Sequence, residues 1–272
     1  MWPMDPDLYR VRPDTKVDLK KWSTRDTDGF ADGKEAGLAA LTEANARLTD
    51  LQQMLHADGR HKVLVVLQGM DTSGKDGTIK HVFANVNPLG VKVTNFKRPT
   101  DIELAHDYLW RVHQRTPGNG EIMIFNRSHY EDVLVVRVHD IVPKARWSKR
   151  YDHIREFEQL LVDEGTVIVK FFLHISHDEQ RKRLQERVDN PAKHWKFEHG
   201  DITERAHWKE YQQAYAEAIS RTSTEAAPWY IVPGDRKWYR NLVVSSILGD
   251  TLAGLDLRYP PAPEGIEGLV IE

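Results

Sequence analysis

The sequence predicts an α/β fold, a parallel five-stranded sheet covered by helices on both faces. Three observations carry that expectation. Five apolar runs lie at 63–67, 91–96, 121–125, 166–175 and 229–232, and they have strand length and strand composition. Between them stand stretches of helical period at 75–85, 101–115, 129–138, 148–164, 177–189, 202–220 and 236–252. Strands that alternate with helices imply parallel neighbours joined by crossovers. The first run also feeds directly into Gly69-Met70-Asp71-Thr72-Ser73-Gly74-Lys75. That is the G-x-x-x-x-G-K spacing of a phosphate-binding loop, set between strand and helix as the motif requires.

Along the chain, residues 1–33 are polar and rich in Pro, Asp and Gly, which reads as an N-terminal arm wrapping the surface. Leucines at 38, 41, 48, 51 and 55 mark a helix that Gly59 ends, so residues 1–60 form an arm and a helix packed on the core. The core spans 61–257, with a lid inserted at about 178–206, and 258–272 is a Pro-rich tail lying across the surface. The 272 residues are 40% hydrophobic and 29% charged, an ordinary globular balance. The absence of cysteine excludes a disulfide framework and thiolate metal or nucleophile sites. The start "MWPMDPDLYR" lacks a signal-peptide apolar core and no run approaches membrane-spanning length, so a cytoplasmic protein without membrane partners is expected.

The loop works by aiming backbone N–H groups and Lys75 at phosphate oxygens, with Gly69, Gly74 and Gly77 letting the backbone approach closely and Ser73 inside the cradle. Two acids sit awkwardly there: Asp71 within the loop, and Asp76 where a Ser or Thr normally holds magnesium. Carboxylates beside phosphate repel it unless a cation lies between. A second segment, "IMIFNRSHYEDVL", ends its strand in Asn126 where an acid usually contacts magnesium, and its acids follow as Glu131 and Asp132. Alone, those two acids read as helix N-terminal residues suited to the macrodipole. With Asp71 unexplained, a shared site of Asp71, Asp132 and Glu131 holding hard cations is the economical reading.

Two basic segments follow. "PKARWSKR" carries Lys144, Arg146, Lys149 and Arg150, and "EQRKRLQERVDNPAKHWK" carries Arg181, Lys182, Arg183, Arg187, Lys193 and Lys196. A solvated helix with internal Glu–Arg pairs is the plain reading of such a run. Its position after a late strand is also where small phosphate-loop kinases carry an arginine-rich lid, which stabilises a transferring phosphoryl group. Lys97 and Arg98 end the second strand, at the crevice where open α/β sheets bind ligands, and are candidate acceptor contacts.

On these motifs the chain resembles the polyphosphate kinase 2 family. The family's G-x-D-x-x-G-K-x-G loop stands here as Gly69, Asp71, Gly74, Lys75 and Gly77, and its second motif as "FNRSHYEDVL" with Arg127, Ser128 and Tyr130. The lid resembles "RVDNPAKHWKFEHGD", and "RTSTEAAPWYIVPGDRKWYR" is also similar; together the likeness runs from about Tyr9 to about Leu255. The resemblance implies a P-loop kinase fold like that of thymidylate kinase, with a helical lid. It implies reversible phosphoryl transfer between inorganic polyphosphate and nucleotides (AMP, ADP, ATP and guanine nucleotides) with magnesium, or manganese in its place. By the same resemblance Asp71 and Asp132 organise metal and Lys75 binds phosphate. Arg127, Arg183 and Arg187 bind phosphate chains with Lys193 beside them, and Lys97, Arg98, Asn126, Arg127 and Tyr130 meet the nucleotide. A homo-oligomer, dimer or tetramer, is implied as well. Many members carry Asp where Asn126 stands and Asn where Glu131 stands. The "FNRSHYED" form looks like the subgroup that phosphorylates both mono- and diphosphates.

Three rival readings have identifiable signatures. An ATP-dependent nucleoside-monophosphate-type kinase needs neither Asp71 nor a long basic lid. A non-catalytic nucleotide sensor would suit Asn126. A nucleic-acid module is opposed by the net charge of −3 and by a lid without an aromatic stacking pattern.

Overall fold

The structure, a computed structural model, describes residues 2–271. Its elements in chain order begin with β1 (Arg10–Val11), α1 (Gly33–Asp58), β2 (Lys62–Gln68), α2 (Lys75–Val82) and β3 (Val91–Asn95). The short helices α3 (Asp101–Leu104) and α4 (Trp110–His113) lead to β4 (Ile122–Asn126). A 3-10 turn (His129–Asp132), α5 (Val135–Val138), α6 (Lys144–Trp147) and α7 (Arg150–Asp163) precede β5 (Thr166–His174). The lid elements α8 (His177–Asp189) and α9 (Gly200–Ala206) come next, then α10 (Trp208–Thr222), β6 (Trp229–Pro233) and α11 (Lys237–Ala253).

The sheet is mixed and has six strands in the order β1-β6-β5-β2-β4-β3. This corrects the expected five-stranded parallel sheet. The five expected strands are parallel to their neighbours, but β1 adds an antiparallel edge against β6, with Arg10 opposite Tyr230 and Val11 opposite Trp229. Two residues carry no readable period, so only the open edge of β6 reveals that strand. The arm is likewise not confined to the surface: Trp2, Met4, Tyr9, Val11, Val17 and Leu19 are all buried.

Strand alternation divides the core. Leu64 and Val66 of β2 face one apolar cluster with α7 and α10, and Val63, Val65 and Leu67 face the other, with α1 and α11. Leu41, Leu48 and Leu55 line the buried stripe of α1, while Leu38 is exposed. Gly59 ends that helix in a left-handed conformation, φ 66°.

Three expected long helices are broken. Region 101–115 splits into α3 and α4 because the Asp107 carboxylate accepts from the N–H groups of Leu109 and Trp110, a turn that competes with the helix. Region 129–138 begins as the 3-10 turn and restarts at α5, and 202–220 divides at His207 into α9 and α10. No helix among the described residues is long and apolar enough to cross a membrane.

Candidate active site

The loop between β2 and α2 leaves the sheet at its centre, at the carboxyl ends of the parallel strands, where helix N-termini and strand ends make a crevice. Gly69 (φ 152°), Thr72 (φ 64°) and Gly74 (φ 103°) give it its reversals. The Lys75 ammonium lies within the loop and donates to the carbonyls of Gly69 (2.8 Å) and Met70 (3.4 Å). Burial lowers its pKa to about 8, with Arg127 lowering it further and Asp71, Glu131 and Asp76 pulling it back. The hydroxyls of Thr72, Ser73 and Thr78 are buried without a hydrogen-bond partner among the described residues. Such orphans beside a helix N-terminus suit a phosphate and its waters.

The back of the loop is gripped by two arginines. Arg183 spends all its donors on protein: Glu179 at 2.8 Å, the carbonyls of Thr72 and Ser73 at 3.0 Å each, and those of Gly234 (2.7 Å) and Asp235 (3.2 Å). Only 7% exposed, it braces the loop. The expectation that Arg183 binds polyphosphate from the lid is thereby corrected, because no N–H remains to offer. Arg240 of α11 reaches the same Ser73 carbonyl at 3.2 Å.

The loop glycines also bear on how the protein packs around the loop. A Cβ on Gly74 would stand 1.9 Å from Arg240 Nη1, and one on Gly77 3.4 Å from its Nη2. On Gly69 it would meet Ser73 Oγ at 2.7 Å. At Gly69 and Gly74 the missing side chain makes room for protein groups, while at Gly77 a Cβ would meet Arg240 at ordinary contact distance.

β4 runs beside β2 and delivers the second motif to the loop's flank. Asn126 donates to Asp76 Oδ1 at 2.7 Å, so the acid at the usual Ser/Thr position is tethered to the residue at the usual acid position. Arg127, at φ 61°, turns its guanidinium onto Asp71 Oδ1 at 2.7 Å. Burial works against that cation, but Glu131 and Asp71 outweigh it and raise its pKa. A side chain held in this strained region is a common mark of a functional turn.

The 3-10 turn then separates Glu131 from Asp132. Glu131 lines a cavity of about 260 Å³ with Asp71, Arg127 and Gly69. Burial raises its pKa against the pull of Arg127 and Lys75. Asp132 does not line that cavity; it pairs with Arg150 Nη1 at 2.8 Å. The expected trio of Asp71, Asp132 and Glu131 is thus not gathered, and among the described residues no three His, Cys, Asp or Glu side chains group as a metal site. Asp71 and Glu131 alone still suit magnesium, which takes one or two carboxylates together with substrate phosphates and water.

Tyr130, expected at the nucleotide, is wholly buried instead. Its hydroxyl bonds Glu158 (2.8 Å) and Thr222 (2.9 Å), and Lys170 donates to it at 3.1 Å. Lys170 and Glu158 pair at 2.5 Å in the same pocket of the core. Two further lid cations also have partners: Arg187 bonds the Lys196 carbonyl and Asp201 (3.1 Å), and Lys193 pairs with Glu186. Lys97 and Arg98 remain exposed just beyond β3, whose last residue, Asn95, lies opposite Asn126.

The family model described as Polyphosphate kinase 2 (PPK2) matches residues 32–259. The chain belongs to the polyphosphate kinase 2 family. It is 60% identical over 264 residues to the AMP/ADP-polyphosphate phosphotransferase of Meiothermus ruber, covering 97% of this chain and 99% of that one. It is 47% identical to the ADP-polyphosphate phosphotransferase of Rhodopseudomonas palustris, over 93% of this chain and 91% of that one. The crystal structure of polyphosphate kinase 2 from Arthrobacter aurescens TC1 superposes with a TM-score of 0.92 at 43% identity, covering 96% of this chain and 94% of that chain.

In this polyphosphate kinase 2 chain, several cavity and loop residues escape sequence reasoning. Glu198, Asp201 and Glu204 of the lid and Tyr211 and Tyr215 of α10 complete the cavity wall. Tyr211 donates to Glu204 at 2.6 Å, tying lid to core. Gln180 donates to the Asp71 carbonyl at 3.1 Å, a further brace on the loop. The spacing of Tyr211 and Tyr215, four apart on one helix face, is the signal that was available. Arg240 closes the family-like stretch "RTSTEAAPWYIVPGDRKWYR", but that stretch assigned it no role.

Proposed function

We propose that the protein transfers the terminal phosphoryl group of inorganic polyphosphate to AMP and to ADP, forming ADP and ATP, and that the reaction is reversible. The observation that carries this reading is the loop bearing Asp71 with Glu131 beside it on one cavity, in a chain 60% identical to a phosphotransferase named for AMP and ADP. Lys75 and the loop N–H groups hold the donor phosphates, and Arg127 swings between Asp71 and the incoming anion. Asp71 and Glu131 would hold magnesium, which would supply charge neutralisation. The acceptor's terminal phosphate oxygen attacks in line, the bond from phosphorus to the chain breaks, and the shortened polyphosphate leaves. That oxygen is already ionised, so no general base is required, and positioning with charge stabilisation accounts for the catalysis. Lys97 and Arg98 contact the acceptor nucleotide, and guanine nucleotides are accepted alongside adenine ones.

An ATP-donor kinase is not favoured by the names of the similar phosphotransferases. The test is an assay of AMP, ADP, GMP and GDP with polyphosphate and magnesium, following every product. Formation of both ADP and ATP from AMP supports the proposal. Product that requires ATP and ignores polyphosphate refutes it.

A further inference from the structure

Behind the loop lies a cation that the mechanism above leaves unused. Arg240 is 2% exposed, and its donors go to neutral acceptors: Asn241 Oδ1 from Nε (3.1 Å) and Nη2 (2.7 Å), and the Ser73 carbonyl from Nη1 (3.2 Å). No carboxylate pairs with it among the described residues, and its charged neighbour is another cation, Arg183. Arg183 has Glu179 as a counter-charge, and Arg240 has none. Buried charges are normally paired, since an unpaired one forfeits its hydration without return. Burial, with Arg183 adding to it, lowers the Arg240 pKa to about 9.

The geometry says where a counter-charge would come from. The guanidinium touches the loop at Gly74, where only the absence of a Cβ lets it approach, and lies beside Gly77. No peptide bond here is cis. In a trans peptide C=O and N–H point oppositely, so holding the Ser73 carbonyl from behind aims the Gly74 N–H forward, into the cradle. The same charge polarises that amide along its length. An anion in the loop would therefore face an oriented donor with a positive charge directly behind it.

We propose that Arg240 is a positioning residue whose uncompensated charge is answered by the donor phosphate bound on the opposite face of the loop. The inference rests on the loop's reading as the donor phosphate site. It also explains Gly74, whose missing side chain admits the guanidinium. Because the cation is destabilising until the anion arrives, removing it should move stability and anion affinity in opposite directions. A merely structural brace would lower both.

The experiment compares wild type with Arg240→Met and Arg240→Lys. It measures the melting temperature without ligand, binding of inorganic tripolyphosphate by calorimetry, and turnover with polyphosphate. Arg240→Met should melt at or above wild type, as replacement of buried ions by apolar residues often does. Its tripolyphosphate affinity should fall by about 10- to 50-fold, the scale of one charge acting across ~7–9 Å of protein. Arg240→Lys, which keeps the charge, should stay within about fivefold of wild type. Arg240→Met with unchanged affinity overturns the inference. So does a melting temperature that falls in both variants together with equal losses of affinity, which would mark a brace. If Arg240→Met does not fold, Arg240→Lys decides: affinity near wild type supports the role of the charge, and a loss beyond tenfold overturns it. A wild type that neither binds tripolyphosphate nor uses polyphosphate overturns the functional reading, and this inference with it.

Discussion

Replacing Arg183 by alanine should damage the fold before it damages ligand binding. The guanidinium joins three segments: α8 through Glu179, the phosphate loop through Thr72 and Ser73, and the turn after β6 through Gly234 and Asp235. A hydrogen bond from a charged donor contributes roughly 1.5–3 kcal/mol net. Five such bonds do not simply add, because water enters the space left by the side chain. Breaking a buried ion pair by removing one partner costs about 3–5 kcal/mol, and Glu179, whose side chain is 13% exposed beside Arg183, would lose that partner. A loss of about 3–5 kcal/mol is therefore expected, which for a chain of this size is a fall in melting temperature of roughly 8–15 °C. Urea unfolding followed by circular dichroism, with tripolyphosphate affinity measured well below the transition, separates the two effects. Lysine in its place provides three donors and no planar fork, so Arg183→Lys should recover less than half of the lost stability. Unfolding of Arg183→Ala within about 1 kcal/mol of wild type, with a tenfold or greater drop in tripolyphosphate affinity, would refute the brace. That outcome would return the arginine to the lid as a ligand contact.

Lys75→Ala should lower turnover by roughly 10²–10³, measured as kcat with polyphosphate and ADP. The same lysine sets a pH dependence. Its folded pKa of about 8 lies below the ordinary 10.5, so the cost of burying its charge is fully present below pH 8. That cost is relieved as pH rises through the interval to 10.5, and stability without ligand gains up to about 3 kcal/mol there. Phosphate favours the ammonium, so kcat/KM for polyphosphate should fall above pH about 8; a profile flat to pH 9.5 would count against the site. Glu131→Asn should cut activity on AMP at least tenfold more than on ADP, because the cavity carboxylate serves the shorter acceptor. Equal losses would make Glu131 a general metal ligand, and no loss would leave it a helix-terminal acid. Tyr130→Phe should cost about 1–3 kcal/mol of stability, since Glu158, Thr222 and Lys170 lose a partner in the core. Its KM for ADP should not change, and a rise of fivefold or more would restore Tyr130 to the nucleotide site.

The sequence by itself determined the alternation of strands and helices, the position of the phosphate loop and the family. Each depends on local periodicity or on contiguous spacing: five of the six strands, the α1 stripe ended by Gly59, and the G-x-D-x-x-G-K-x-G loop are all written within short windows. The N-terminal edge strand was not legible, because two residues have no period and their pairing is decided by the open edge of β6. Tertiary structure alone decided which charged residues face the cavity. Glu131 and Asp132 are neighbours in sequence, yet a 3-10 turn rotates successive side chains by about a third of a circle, sending one to the cavity and the other to Arg150. Arginine is recognisable in any sequence, but its role depends on which acceptors surround it. Arg183 finds four backbone carbonyls and becomes a brace; Arg240, distant in sequence, finds the same loop without a counter-charge. Charge in a protein takes its meaning from its three-dimensional surroundings, which the order of residues does not display.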